Sequence, residues 1–124
     1  MKILLVDDDA FLRDMYATKF SELGHTIDVA DTAEKALSKL HESTYDAVLL
    51  DMIMPGMSGL DALKHVRTEK LGGMPVCIML SNQSEETDKK RAFDEGAVGY
   101  IVKAERIPSE VVAEVMKLVS KNNI

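Results

Sequence analysis

The stretch KILLVDDDAFLRDMYATKFSELG, residues 2–24, decides the fold. Residues 2–6 read as a strand whose last four, Ile3 to Val6, form an apolar run without polar alternation, the mark of a strand covered on both faces. Three carboxylates, Asp7, Asp8 and Asp9, stop it. Residues 10–23 then carry Leu12, Met15, Tyr16, Lys19 and Leu23 at helical spacing, and Gly24 offers a C-cap. A buried strand leading straight into a helix is the unit of a parallel sheet, because parallel strands need a crossover between them.

The same unit recurs to the end of the chain. TIDVA (26–30) alternates and reads as a more exposed strand. Asp31 offers an N-cap with Glu34 as its capping-box partner, and a helix over 32–42 is apolar at Ala33, Ala36, Leu37 and Leu40. AVLLD (47–51) is a buried strand stopped by an acid. A loop follows, and Ser58 is placed to cap the next helix. PVCIMLS (75–81) is a fourth strand. Ser84 is placed to cap a helix over 85–95 whose only strong apolar anchor is Phe93, helped by Ala92, too little to dock it firmly. VGYIVK (98–103) is a fifth strand. After Pro108, well placed for a helix start, Val111, Val112, Val115, Leu118 and Val119 stripe a last helix. Strand–helix repeated five times predicts an α/β fold: a doubly wound, five-stranded parallel sheet with helices on both faces.

With 124 residues the chain is expected to be a single domain, 1–124, able to bury a real core. Its net charge of −6 argues against direct nucleic-acid binding, which needs a basic face. Cys77 is the only cysteine, so no intramolecular disulfide forms; in the apolar run VCIML it reads as a buried, inert thiol. The first residues lack the pattern of a signal peptide, and no run approaches the ~20 apolar residues of a membrane span. A cytoplasmic protein without membrane contact is the expectation. G-x-G-x-x-G and Walker loops are absent.

Ligands of open parallel sheets bind at the carboxyl ends of the strands. There the sequence places Asp7 and Asp8, Asp51, Ser81 and Lys103. Close carboxylates repel by roughly 4 kcal/mol at 4 Å and an effective dielectric near 20. If strands 1 and 3 are neighbours, their acids form one cluster suited to a hard, oxygen-ligated divalent cation. Lys103 adds a second positive charge and Ser81 a hydroxyl. Phosphoryl transfer needs such partners for three equatorial oxygens, and carboxylates do act as nucleophiles toward phosphorus.

In order, LLVDDD (4–9), VLLDMIMPGMSG (48–59), MLS (79–81) and GYIVK (99–103) resemble the receiver domain of bacterial two-component response regulators, across nearly the whole chain. The resemblance implies a flavodoxin-like strand order 2-1-3-4-5. It implies that Asp51 accepts a phosphoryl group from the phosphohistidine of a histidine kinase or phosphotransfer protein. Asp7, Asp8, Asp51 and the carbonyl of Ile53 would hold Mg²⁺. Ser81 would be the switch hydroxyl, Lys103 the ion-pairing lysine and Tyr100 the rotating aromatic. The output surface would be that of helix 4, strand 5 and helix 5, turned toward a downstream protein partner or an output domain missing from these residues. Such a chain is no enzyme beyond its own phosphorylation and dephosphorylation. Asp9 matches no role of this kind and reads as an N-cap.

The sequence departs from that family in places. Ala104 stands where a proline usual in relatives would favour a cis bond, which without proline costs roughly 2.5–4 kcal/mol; either a trans or a strained cis bond is expected. Ile53 and Gln83 occupy the positions that tune phosphate loss in relatives, and an apolar Ile53 predicts slow self-dephosphorylation. Strand 5 lacks the acid that supports symmetric dimers in many DNA-binding relatives. Met52, Met54 and Met57 either line a docking surface or pack the loop. His25, His41 and His65 share no ligand spacing and read as solvated. The rival functions are a Mg²⁺-dependent phosphohydrolase with an aspartyl nucleophile and a flavin carrier. The first lacks a second acid at Ile53; the second would meet repulsion at DDDA.

Overall fold

A computed structural model of the protein describes residues 1–82 and 85–122. Five strands form one parallel sheet: β1 (Lys2–Val6), β2 (Thr26–Ala30), β3 (Ala47–Leu50), β4 (Val76–Ser81) and β5 (Gly99–Val102). Their order is β2-β1-β3-β4-β5, as the resemblance implied. The helices are α1 (Ala10–Glu22), α2 (Ala33–Glu42), α3 (Gly59–Thr68), α4 (Glu86–Asp94) and α5 (Pro108–Asn122), with 3-10 turns at Leu71–Gly73 and Lys103–Glu105.

The unbroken apolar strands are explained by two cores. Leu4, Val6, Val48, Leu50, Cys77 and Met79 point to one face, where they meet Ala33, Ala36 and Leu40 of α2 and Ala62, Leu63 and Val66 of α3. Their neighbours Ile3, Leu5, Leu49, Ile78 and Leu80 point to the other, against Tyr16 and Phe20 of α1 and the Val111–Val112–Val115–Val119 stripe of α5. Each buried Leu, Ile or Val contributes roughly 1.5–3 kcal/mol, and the period-two alternation serves both faces at once.

Four local expectations change. Leu23 is 61% exposed and Phe20 takes the buried place on α1, because the stripe Leu12–Tyr16–Phe20 faces the sheet at i, i+4 spacing. On α4 the roles reverse likewise: Phe93 is 49% exposed while Ala92 is buried. The N-cap of α2 is Thr32, whose hydroxyl accepts from Lys35 N at 3.1 Å. Asp31 instead pairs with Lys35 Nζ at 3.0 Å, and Glu34 reaches the loop after β3. The Ser84 cap lies outside the described residues. Asp9 and Ser58 do cap α1 and α3, accepting from Leu12 N and Asp61 N, each at 3.1 Å. No described residue has a cis peptide bond, so Lys103–Ala104 is trans. Among the described residues no helix is long and apolar enough to cross a membrane.

Candidate functional site

The register builds the site. Val6 of β1 pairs with Leu50 of β3, so the next residues, Asp7 and Asp51, leave the sheet side by side. Asp51 N donates to Val6 O at 3.2 Å, and Asp7 N to Ala30 O at 3.1 Å, which fixes both main chains. Ser81 of β4 pairs with Val102 of β5, so Lys103 emerges on the neighbouring tip. Asp7, Asp51, Ser81 and Lys103 are the buried polar or charged residues among those described.

Lys103 is the hub. Its Nζ donates to Asp7 Oδ2 at 2.8 Å and to Asp51 Oδ2 at 3.2 Å. The other oxygen of each acid takes a main-chain N–H: Asp7 Oδ1 from Asp9 at 2.9 Å, Asp51 Oδ1 from Ile53 at 3.3 Å. Burial raises the Asp51 pKa above the usual carboxylate range, against the pull of Lys103 and with the help of Asp7. Burial works against the Lys103 charge too, but Asp7 and Asp51 outweigh it and hold the ammonium pKa above its ordinary value. Carboxylate oxygens of Asp7, Asp8 and Asp51 lie within 4.8 Å of one another. Three carboxylates against one ammonium leave an excess of two negative charges, and every donor is a hard oxygen. That set fits one divalent cation such as Mg²⁺.

Asp8 is exposed at the mouth of a cleft of about 370 Å³ that it lines with Asp51, Ile53, Ser81, Asn82 and Lys103. The Ile53 side chain is 61% exposed there. Ser81 is fully buried, and Tyr100, half-buried on β5, has its phenol within hydrogen-bonding reach of the Ser81 side chain. Burial raises the Tyr100 pKa, partly offset by Ser81. Gln83 lies outside the described residues. Met52 and Met54 are buried under the loop rather than displayed, while Met57 is half-buried. The histidines stay away: His25 contacts the N-terminal amine and Phe20, His65 pairs with Glu69, and His41 lines a depression formed with Lys2 and Lys70.

Two supports escaped the sequence reading. Arg13 Nη1 donates to the carbonyl of Asp7 at 2.9 Å, anchoring α1 to the acid turn. Gly59 opens α3 directly against Asp51: a Cβ there would stand 1.8 Å from the Asp51 carbonyl oxygen. A glycine spent on a helix's first position, where a better helix former fits, was the available signal.

The sequence model of the family described as response regulator receiver domain matches residues 3–115. The chain is 36% identical over 120 residues to the transcriptional regulatory protein ResD of Bacillus subtilis, covering 97% of this chain and 48% of that protein. It is 33% identical to the response regulator TrrA of Thermotoga maritima, solved in complex with Mg²⁺ and BeF, with a TM-score of 0.81 over 94% of this chain and 97% of that one. The chemotaxis protein CheY4 of Vibrio cholerae superposes with a TM-score of 0.87 at 26% identity, over 94% and 97% of the two chains. The chain spans about half the length of ResD and of the phosphate regulon regulator PhoB of Escherichia coli, which it matches at 33% identity.

Proposed function

The chain belongs to the response regulator receiver domain family, and from that premise we propose that residues 1–124 act as one receiver whose Asp51 takes a phosphoryl group from the phosphohistidine of a histidine kinase or phosphotransfer protein. An Asp51 carboxylate oxygen bonds to phosphorus as the donor's phosphorus–nitrogen bond breaks, and the electron pair stays on the imidazole nitrogen. The product is an aspartyl phosphate. The observation that carries this reading is the Lys103 ammonium held between Asp7 and Asp51 at 2.8 and 3.2 Å on the floor of the cleft.

Asp7, Asp8 and Asp51, with the Ile53 carbonyl, would hold Mg²⁺, which when bound supplies positive charge to the phosphoryl oxygens. Lys103 takes a second oxygen. Ser81 takes a third by turning its hydroxyl from Tyr100 toward the phosphoryl group. Tyr100 then loses a partner and rotates inward. That rotation reshapes the face made by α4, β5 and α5, the docking site for a downstream protein or an attached output domain. The phosphoryl group adds about −1.5 to −2 charges, and its contacts to Ser81 and Lys103 are the differential binding that a population shift requires. The Ile53 side chain at the cleft mouth hinders water, so the phosphate leaves slowly. The chain turns over no other substrate.

Incubation with a small acyl phosphate and Mg²⁺, followed by intact mass, tests this. Wild type gains one phosphoryl group and Asp51→Ala none. Equal gain on both proteins moves the acceptor elsewhere.

A further inference from the structure

Glu34 belongs to none of the groups assigned so far. It sits exposed in the first turn of α2, where a carboxylate ordinarily serves the helix dipole. Here its Oε1 also accepts the main-chain N–H of Met57, twenty-three residues away, at 3.1 Å. The same oxygen stands 3.1 Å from where a Cβ on Gly56 would be, and Gly56 holds a φ of +81°. The carboxylate is therefore seated against bare backbone that only glycine leaves open in that conformation.

The segment it grips is the loop between Asp51 and α3. The inner part of that loop is fixed by burial of Met52 and Met54 and by the 3.0 Å bond from Gly59 N to Met52 O. The outer turn, Pro55 and Gly56, is exposed. Glu34 ties this outer turn to α2. What the loop controls is close by: Ile53 N donates to Asp51 Oδ1 at 3.3 Å, a long bond with little slack. A drift of the outer turn pulls on Gly59, two residues beyond Met57, whose N–H holds Met52 O and whose Cα packs on the Asp51 carbonyl, and so loosens the main chain on which the Asp51 carboxylate is mounted.

We propose that Glu34 is a positioning residue for phosphoryl transfer: as a hydrogen-bond acceptor on Met57 N–H it holds the loop that aims the Asp51 carboxylate. This rests on the function proposed above. It requires an acceptor at residue 34, not a charge, which separates it from the dipole role. Gln keeps the acceptor and removes the charge; Ala removes both.

The test uses wild type, Glu34→Gln, Glu34→Ala and, as a surface control, Lys35→Ala. Amide exchange at Met57 and Ile53 is read by NMR without donor or metal. The initial rate of mass gain with a small acyl phosphate and Mg²⁺ is read separately. Met57 exchange accelerates about tenfold in Glu34→Ala, the loss of one hydrogen bond, with phosphorylation slower by about three- to tenfold. Glu34→Gln and Lys35→Ala stay within about twofold of wild type in both. Equal losses in Gln and Ala, or none in Ala, overturn the proposal. If wild type takes up no phosphate, the receiver function falls by itself, and the exchange pattern alone decides whether Glu34 holds the loop.

Discussion

Replacing Gly59 by alanine tests how closely the phosphoacceptor is built into the fold. The added Cβ would stand 1.8 Å from the Asp51 carbonyl oxygen and 2.7 Å from its carbon, against a 3.0 Å limit for real contacts. The two groups must part by more than an ångström. Neither can rotate away, since one is main chain in β3's exit and the other opens α3. Overpacking of this kind costs about 1–3 kcal/mol. One effect opposes it: alanine's advantage over glycine in a helix, which includes its stiffer unfolded chain, is up to ~1 kcal/mol in a helix interior and less at the first turn. The clash wins, leaving a net loss of about 1–2 kcal/mol, or several degrees in melting temperature. Function should suffer more than stability. Parting Gly59 from Asp51 drags the carboxylate from Lys103, and a misplacement of about 1 Å can cost ~10²-fold in rate. Thermal unfolding by circular dichroism and the initial rate of mass gain with an acyl phosphate measure the two effects. A Gly59→Ala protein that melts and phosphorylates like wild type would refute the reasoning.

Three other predictions concern charge and burial. Folding raises the Asp51 pKa, so the folded protein tolerates the protonated acid better, and wild type loses stability as pH rises through that pKa. Asp51→Asn does not titrate and leaves Lys103 its Asp7 partner; in metal-free buffer it melts above wild type near pH 7, with the gap narrowing toward pH ~4, and an unchanged gap contradicts the electrostatics. Burial pushes the Cys77 thiol up to about 11; native protein at about pH 8 resists a thiol reagent that labels the denatured chain at once, and fast native labelling shows the core is open. Tyr45 donates its hydroxyl to Asp28 Oδ2 at 2.7 Å. Tyr45→Phe should lower stability by about 0.5–1.5 kcal/mol without slowing phosphorylation, which a combined melt and rate measurement checks.

Strand-level structure was legible because a strand buried on two faces has no polar residue to hide: KILLV and AVLL announce themselves. The acid-tipped ends were legible for the converse reason, since nothing apolar explains three carboxylates and a lysine at strand exits. Convergence itself needed strand order, which only the resemblance provided. α1 was harder. Phe11, Leu12, Met15, Tyr16, Phe20 and Leu23 surround that helix with apolar side chains, so periodicity could not choose Phe20 over Leu23. In α4 size points to Phe93 as the anchor, yet Ala92 is the one that faces the core. Glu34, Arg13 and Gly59 act through contacts with distant backbone. Local rules see a capping partner, a surface arginine and a helix start, and no pattern within a few residues betrays the rest.

Reduction of the phosphorylated protein with borohydride, followed by peptide mapping, tests the central claim most directly, because hydride converts an aspartyl phosphate to homoserine and marks its position. Homoserine at position 51 and nowhere else is the expected result. Homoserine at position 7 or 8, or a phosphorylated chain with no homoserine at all, as a phosphate ester on Ser81 would leave, would contradict it.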